Sequence, residues 1–418
     1  MERTRVISEG ALTILLNRGD NSTFQNGFRT VSNTSYMSDD SLDSQRTVEI
    51  PEYLQSVESI HFLEFNEATS HKIYEDFTRA AMQDPDRAHI LISAREHVRS
   101  ISGNADERHG SGVWVGVLQA IGMTSNFQNR IMDPEFEDMR KMGTAKGWVL
   151  EAIETRYVFL QQLDNIIETP ALGVARKTSY LDLQGNFQPG RPPIPERQSS
   201  KKLPAMGIFK YPTKVSSSTT VDQPKVSLED HKILYKGGAL CRLQKIQMEN
   251  GQLNFAKILS PSPGDFDGFV GGLYFNKQSQ VAHRYAKWAE KVVDGKVVPV
   301  GIMRVAVPND LLTSIAEIYG TDWQEFVYAN RTAQVPFDHN HHLHYLDGFS
   351  WLVGPICSQS NEVVQELASQ GDIKAMKLER GEMASQIWTG KKSMCLLLDQ
   401  RCQGKVKIEG LGIGRTDK

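Results

Sequence analysis

Several groups of residues in this 418-residue chain have the types and spacing to do chemistry. His339, His341, His342 and His344 crowd together after Asp338. Histidines two to three residues apart in a loop can hold zinc or nickel. No fixed ligand spacing or second cluster accompanies them, so the expectation is a solvated loop and no metal. Lys236 ends the string Ile233-Leu234-Tyr235-Lys236 and is followed by Gly237-Gly238. Tyr274 and Phe275 follow Gly271-Gly272-Leu273, offering an aromatic pair on a glycine-hinged strand. Arg197, Lys201, Lys202, Lys210 and Lys214 interleave with Phe209 and Tyr211. Basic residues among aromatics can hold single-stranded nucleic acid, although such charge runs more often simply face water.

The elements that must position these residues can be read from periodicity. Residues 1–47 include a stretch rich in Ser, Asn, Thr and Asp, and are expected to form a disordered tail. It contains Asp39-Asp40-Ser41-Leu42-Asp43, similar to the metal box of terpene synthases. That box needs a long apolar helix beneath it, and none is legible there. Residues 48–169 form a helical region. Ile73 and Phe77, with Ala80 and Ala81, share one face; Ile90 to Ile101 is a second helix. Val149, Ile153, Tyr157, Leu160, Leu163 and Ile167 mark the clearest helix, ended by Thr169-Pro170.

Residues 170–229 read as a Pro/Ser-rich linker. From 230 to 398 the pattern is that of an α+β domain. Ile233–Gly238 is a short strand running into a glycine turn. Val281, Tyr285, Trp288 and Val292 share a helical face, and Val298 to Val307 is a strand. Trp323, Phe326 and Val327 belong to a helix, and Phe349, Trp351 and Val353 alternate as a strand. Residues 399–418 read as a tail.

The bulk numbers narrow the function. A net charge of -3 gives no global basic field for nucleic acid. Four scattered cysteines, Cys241, Cys357, Cys395 and Cys402, suit a reducing compartment. The apolar stretch Ala11 to Leu16 is too short for a good leader, and no run spans a bilayer. A cytoplasmic protein without a membrane is the expectation.

Five segments, Leu234–Gly237, Asp265–Asn276, Trp323–Arg331, Leu352–Ile356 and Gln386–Thr389, resemble in order those of an uncharacterised microbial family of the ADP-ribosyltransferase-like fold. That family shows Leu-Tyr-His-Gly, then Asp-Phe-Gly-x-Gly-Phe-Tyr-Leu-Thr, Trp-x-x-Phe-Val-x-Ala-Asn-Arg, Val-x-Gly-Pro-Val and a Gln-Ile-x-x-x-Thr-like strand. The resemblance implies NAD as co-substrate and a group-transfer enzyme. It places Lys236 against the ribose or phosphates, where the family has histidine and classical toxins have arginine. It places Tyr274 on nicotinamide, with Tyr235, Gly237, Asp265, Phe275 and Arg331 around the cofactor. Asn330 and Arg331 read equally as site residues or a helix end.

Alternation requires one of Tyr274 and Phe275 to face the core. Gln386 takes the place of the usual catalytic strand acid, and glutamine cannot act as a carboxylate base. Glu325 sits in a helical string, not on a strand. Two other readings stand beside this one. Ser358-Gln359-Ser360-Asn361-Glu362 is similar to the Asp-Asp-x-x-Glu motif of fungal arginine-containing cyclodipeptide synthases, but keeps only its last acid. That resemblance implies a tRNA-dependent ligase of secondary metabolism, with Glu362 catalytic and the basic linker touching tRNA. The third reading is a non-catalytic binding module.

Overall fold

Apolar residues three and four apart wind the N-terminal half into helices. In the computed structural model, residues 4–36, 47–85, 88–101, 111–168, 230–248, 250–268, 271–332 and 341–411 are described. The acidic box at 39–43, the linker with its basic residues, Asp338 and His339 lie outside them. The N-terminal helices are α1 (Glu9–Asn17), α2 (Val57–Phe62), α3 (Glu67–Gln83), α4 (Ile90–Ser100), α5 (Ser111–Ile121), α6 (Ser125–Ile131), α7 (Glu137–Arg140) and α8 (Ala145–Glu168). All six residues of the expected stripe on α8 are buried, and α1, α4 and α5 pack around it.

The first 47 residues are not a tail over their described part. Ser8 caps α1, accepting a hydrogen bond from the Ala11 N–H, and Ala11 and Leu15 are buried one turn apart. Strands β1 (Thr23–Gln25), β2 (Phe28–Ser32) and β3 (Thr47–Pro51) form an antiparallel sheet. Asn26 and Gly27 join β1 to β2 with φ of 52° and 80°. Two adjacent left-handed residues make the hairpin turn that suits the strand twist, and Asn-Gly is the pair that tolerates it.

The C-terminal half builds a second sheet from β4 (His231–Ala239), β5 (Leu273–Asn276), β6 (Val300–Pro308), β7 (Ile315–Glu317), β8 (Trp351–Pro355), β9 (Ser385–Thr389) and β10 (Val406–Gly410). Their order is β10-β6-β4-β5-β9-β8-β7, and only β7 and β8 run parallel. Helices and strands together make the chain an α+β protein. Two expectations shift here. β4 does not stop at a glycine turn; it continues through Gly237 and Gly238 to Ala239. The expected tail after 398 supplies the end of a helix and the edge strand β10, with Val406 opposite Val305. Glu409 on that edge pairs with Arg304 at 3.1 Å, so its charge is compensated across the strands.

Register separates the two faces of the sheet. Lys236 lies opposite Met303, Tyr274 opposite Trp388, and Asn276 opposite Gln386. Leu234, Met303, Val305, Phe275, Ile387 and Val353 fill one face. The short α9 (Leu240–Leu243) follows β4, and α10 (Ser279–Val293) crosses the other face, with Ala282 and Ala286 against Ile302 and Tyr235. A Cβ at Gly237 would overlap the Ala282 carbonyl, so glycine there lets the helix lie on the strand. Helix α11 (Gly320–Arg331) covers the far end of that face through Trp323 and Phe326, which pack with Phe266 and Leu352. The short α12 (Asn361–Gln365) follows β8. Helix α13 (Lys392–Arg401) contributes Met394, Cys395 and Leu398 to the first face.

The two halves share a core. Val281, Trp288 and Val292 of α10 are buried with the N-terminal helices. Trp148 meets Trp288 edge-on at 5.2 Å. No helix among the described residues is long and apolar enough to cross a membrane.

Candidate functional site

Four of the five motif segments meet in one buried polar knot. Asp265 precedes β5, and its Oδ1 accepts a hydrogen bond from Arg331 Nε at 2.7 Å. Its Oδ2 accepts from the Cys357 amide at 2.9 Å and from Gln386 Nε2. Gln386 Nε2 also donates to the Pro355 carbonyl at 3.1 Å, which accepts from Trp323 Nε1 at 3.0 Å as well. Arg331 reaches the Gln359 carbonyl at 2.6 Å. Burial pulls the Arg331 guanidinium down, but the Asp265 carboxylate outweighs it and keeps the group charged. Burial pushes the neighbouring Cys357 thiol up to about 11. A buried carboxylate is tolerated when donors satisfy both oxygens and a cation pairs with it. Asp265, Arg331 and Gln386 are spent on each other, clamping the β5 approach, α11, β8 and β9.

Next to the knot stands a carboxylate with no such support. Asp267 is 2% exposed, and neither of its oxygens has a well-aligned hydrogen bond. Burial raises its pKa to about 7, and the Asp265 charge adds to the rise. The Gly264 amide, the Tyr274 hydroxyl and the Trp388 indole N–H stand near enough as weak, poorly aligned donors to moderate the rise. The Trp388 indole nitrogen is also buried without a hydrogen-bond partner. The Tyr274 hydroxyl accepts from the Phe266 amide at 3.0 Å, and burial followed by the nearby Asp267 charge holds it protonated. Tyr274 lies 6.4 Å from both Phe266 and Trp388, ring to ring.

Glycines make room for this corner. A Cβ at Gly264 would crowd Asp267 and Tyr274, and one at Gly272 would overlap the Trp388 indole nitrogen. Asn330 closes the rim by accepting from the Gly268 amide at 2.9 Å. No family model, curated protein or solved structure matches this chain.

The expected residues are distributed as follows. Lys236 and Tyr274 leave opposite faces of the sheet, because Lys236 lies opposite Met303 of the first face. The Lys236 ammonium donates to the Tyr274 carbonyl at 3.2 Å. Burial lowers it to about 8, and the distant Glu151 charge only partly opposes this. Phe275 is the core member of the aromatic pair, fully buried against Phe255 at 6.1 Å. Tyr235 packs under α10, as does Gly237, and neither joins the Asp267 corner. Glu362 sits in the first turn of the five-residue α12, where a negative charge complements the helix N-terminus.

The Ser358 hydroxyl and amide both bond the Lys374 carbonyl, so that string ties two loops together. Glu325 is helical as its neighbours require, on α11. Asp267 does not stand out in the sequence. The signal available is a second acid two residues beyond Asp265, within a glycine-rich loop leading to an aromatic strand.

Proposed function

We propose that the chain is a group-transfer enzyme of the ADP-ribosyl type that works at the Asp267–Tyr274–Trp388 corner. The observation that carries this reading is the buried Asp267 carboxylate, which no cation and no well-aligned donor offsets. Buried polar groups are nearly always satisfied, and an exception marks strain, a place for a bound water or ion, or chemistry. A carboxyl poised near 7 can exchange a proton at neutral pH. The five ordered segments that resemble the ADP-ribosyltransferase-like family add support, and the adjoining rings of Tyr274 and Trp388 are chemically suited to a planar heterocycle.

In this reaction the C–N bond between the NAD ribose and nicotinamide breaks, and its electron pair leaves on the nicotinamide nitrogen. A lone pair of the acceptor forms the new bond to the ribose carbon. The acceptor's proton passes to Asp267. The same carboxylate, when ionised, stabilises the positive charge that develops on the ribose. Gln386 takes no part in proton transfer, since its amide is committed to Asp265 and the Pro355 carbonyl.

Titration of the full chain with NAD should raise its melting temperature, and nicotinamide release should be detectable by chromatography. Asp267→Asn, nearly identical in shape, should retain the fold and lower release by about 10²–10⁴-fold, the usual contribution of a general base. Unchanged release in that variant, or no thermal response to NAD, sinks the reading. A response to total tRNA in place of NAD would turn it toward aminoacyl chemistry.

A further inference from the structure

Helix α11 carries two acids one turn apart, Asp322 and Glu325, and both face the segment that begins at His341. His342 Nε2 lies 3.5 Å from Asp322 Oδ1 and 3.7 Å from Glu325 Oε2. His341 Nε2 lies 2.8 Å from Glu325 Oε1, and the two imidazoles stack 4.7 Å apart. Ligand atoms of Glu325, His341 and His342 all fall within 4.8 Å of one another.

The distances assign different roles to the two histidines. Ligands of one tetrahedral zinc, each about 2.0–2.1 Å from the ion, stand roughly 3.3–3.4 Å from one another. The His342 spacings to both carboxylates are close to that and too long for hydrogen bonds. The His341 spacing to Glu325 is that of a direct hydrogen bond. His341 Nδ1 also accepts from the Leu343 amide at 3.1 Å, which places the ring proton on Nε2, pointing at Glu325. A proton there excludes a metal at the same nitrogen. It suits a residue that orients a ligating carboxylate, as groups behind a metal site commonly do.

We propose that Glu325 and His342 bind a borderline divalent cation, zinc or a first-row neighbour, with Asp322, 3.5 Å from His342, drawn in as the third ligand and His341 orienting Glu325 from behind. Imidazole among the ligands selects against calcium and magnesium, which take oxygen donors. Two carboxylates on adjacent turns repel each other, and a shared cation relieves that repulsion. The ion would pin the segment at 341–342 to α11, whose last turn supplies Asn330 and Arg331 to the corner and the knot. This proposal does not depend on the group-transfer reading.

The test is calorimetric titration of the metal-stripped full chain with zinc chloride. One zinc per chain is expected. His342→Ala and Asp322→Asn should each weaken binding at least about 10-fold, and His341→Ala about 10–100-fold, the range seen for groups behind the ligands. His344→Ala, whose ring pairs instead with Asp347 at 3.4 Å, should leave it unchanged. All the substituted residues lie at least partly at the surface and not in the core, so circular dichroism should show folded variants. Absence of stoichiometric zinc binding overturns the proposal. So does binding that survives both His342→Ala and Asp322→Asn, or that falls equally with His344→Ala.

Discussion

Asp267 differs from Asp265, two residues away, only in its partners. Asp265 receives a guanidinium, an amide side chain and a backbone N–H in good geometry; Asp267 has no cation and only the poorly aligned Gly264, Tyr274 and Trp388 donors. The difference has a consequence for stability as well as chemistry. The Asp267 carboxyl titrates near 7 in the fold against an ordinary value of 3.8. Between these values the native state holds a proton that the unfolded chain has released, so stability falls as pH rises through that window. Asp267→Asn removes the titration. It should match the parent near pH 4 and exceed it near pH 8 by on the order of 3–4 kcal/mol, since each pH unit between the two values is worth about 1.4 kcal/mol. Urea unfolding at the two pH values measures this directly. A variant no more stable than the parent at pH 8 would show that the carboxylate is already satisfied.

At the scale of elements, the knot explains why the motif segments stand together in the fold. Each of the four segments in it contributes a group that another needs when buried. Gln386→Glu tests the arrangement, because on paper it restores an enzyme's missing strand acid. In place it would lose the Gln386 donor and set a second carboxylate against Asp265 and the Pro355 carbonyl. Like charges in a buried site disfavour ionisation, and an unsatisfied buried acceptor costs about 1–3 kcal/mol. The variant should therefore lose about that much stability at pH 7 and gain no activity; a gain in nicotinamide release would contradict the assignment of Gln386 to the scaffold.

The sequence makes much of this legible. The stripe on α8, the helix around Trp323 and the alternation at Trp351 and Val353 follow directly from the period of apolar residues. Less visible are the features set by long-range pairing. The Asn26-Gly27 hairpin lies in a polar stretch whose composition resembles disorder, and its strands are stabilised by β3. Strand β10 alternates charged residues, and its Glu409 is compensated by Arg304 across the strands and by Lys407 two residues before it. Lys236 and Tyr274 read as neighbours in a site, yet the pairing of β4 with β6 turns the lysine to the opposite face. Asp267 is hidden because its character comes from burial without a cation, which no local pattern records.

For the molecule as a whole, the decisive contact is where α10 ends. Arg156 donates to the Val293 carbonyl at 2.7 Å and to the Phe62 carbonyl, and Arg130 donates to the Lys291 carbonyl at 3.0 Å. These bonds satisfy the free carbonyls of the last turn with cations, which also suit its negative dipole end. Glu64, held in the left-handed region at φ 77°, compensates both arginines at 2.8 and 3.0 Å. Burial pushes the Glu64 carboxyl up, but Arg156 and Arg130 outweigh it and hold it below the usual range. Its stabilising contribution is thus present above the ordinary carboxylate range and lost as pH falls through the depressed value.

Glu64→Gln keeps the shape and removes the charge, leaving Arg156 buried without its main counter-ion. Breaking a buried pair this way costs about 3–5 kcal/mol, and Asp294, 3.5 Å from Arg130, keeps the cost near the lower end. Because α10 belongs to both cores, the loss should lower one common melting transition, seen alike by the tryptophans of each half. Two separate transitions, with only the N-terminal one shifted, would mean that the sheet stands without the helices that now cap it.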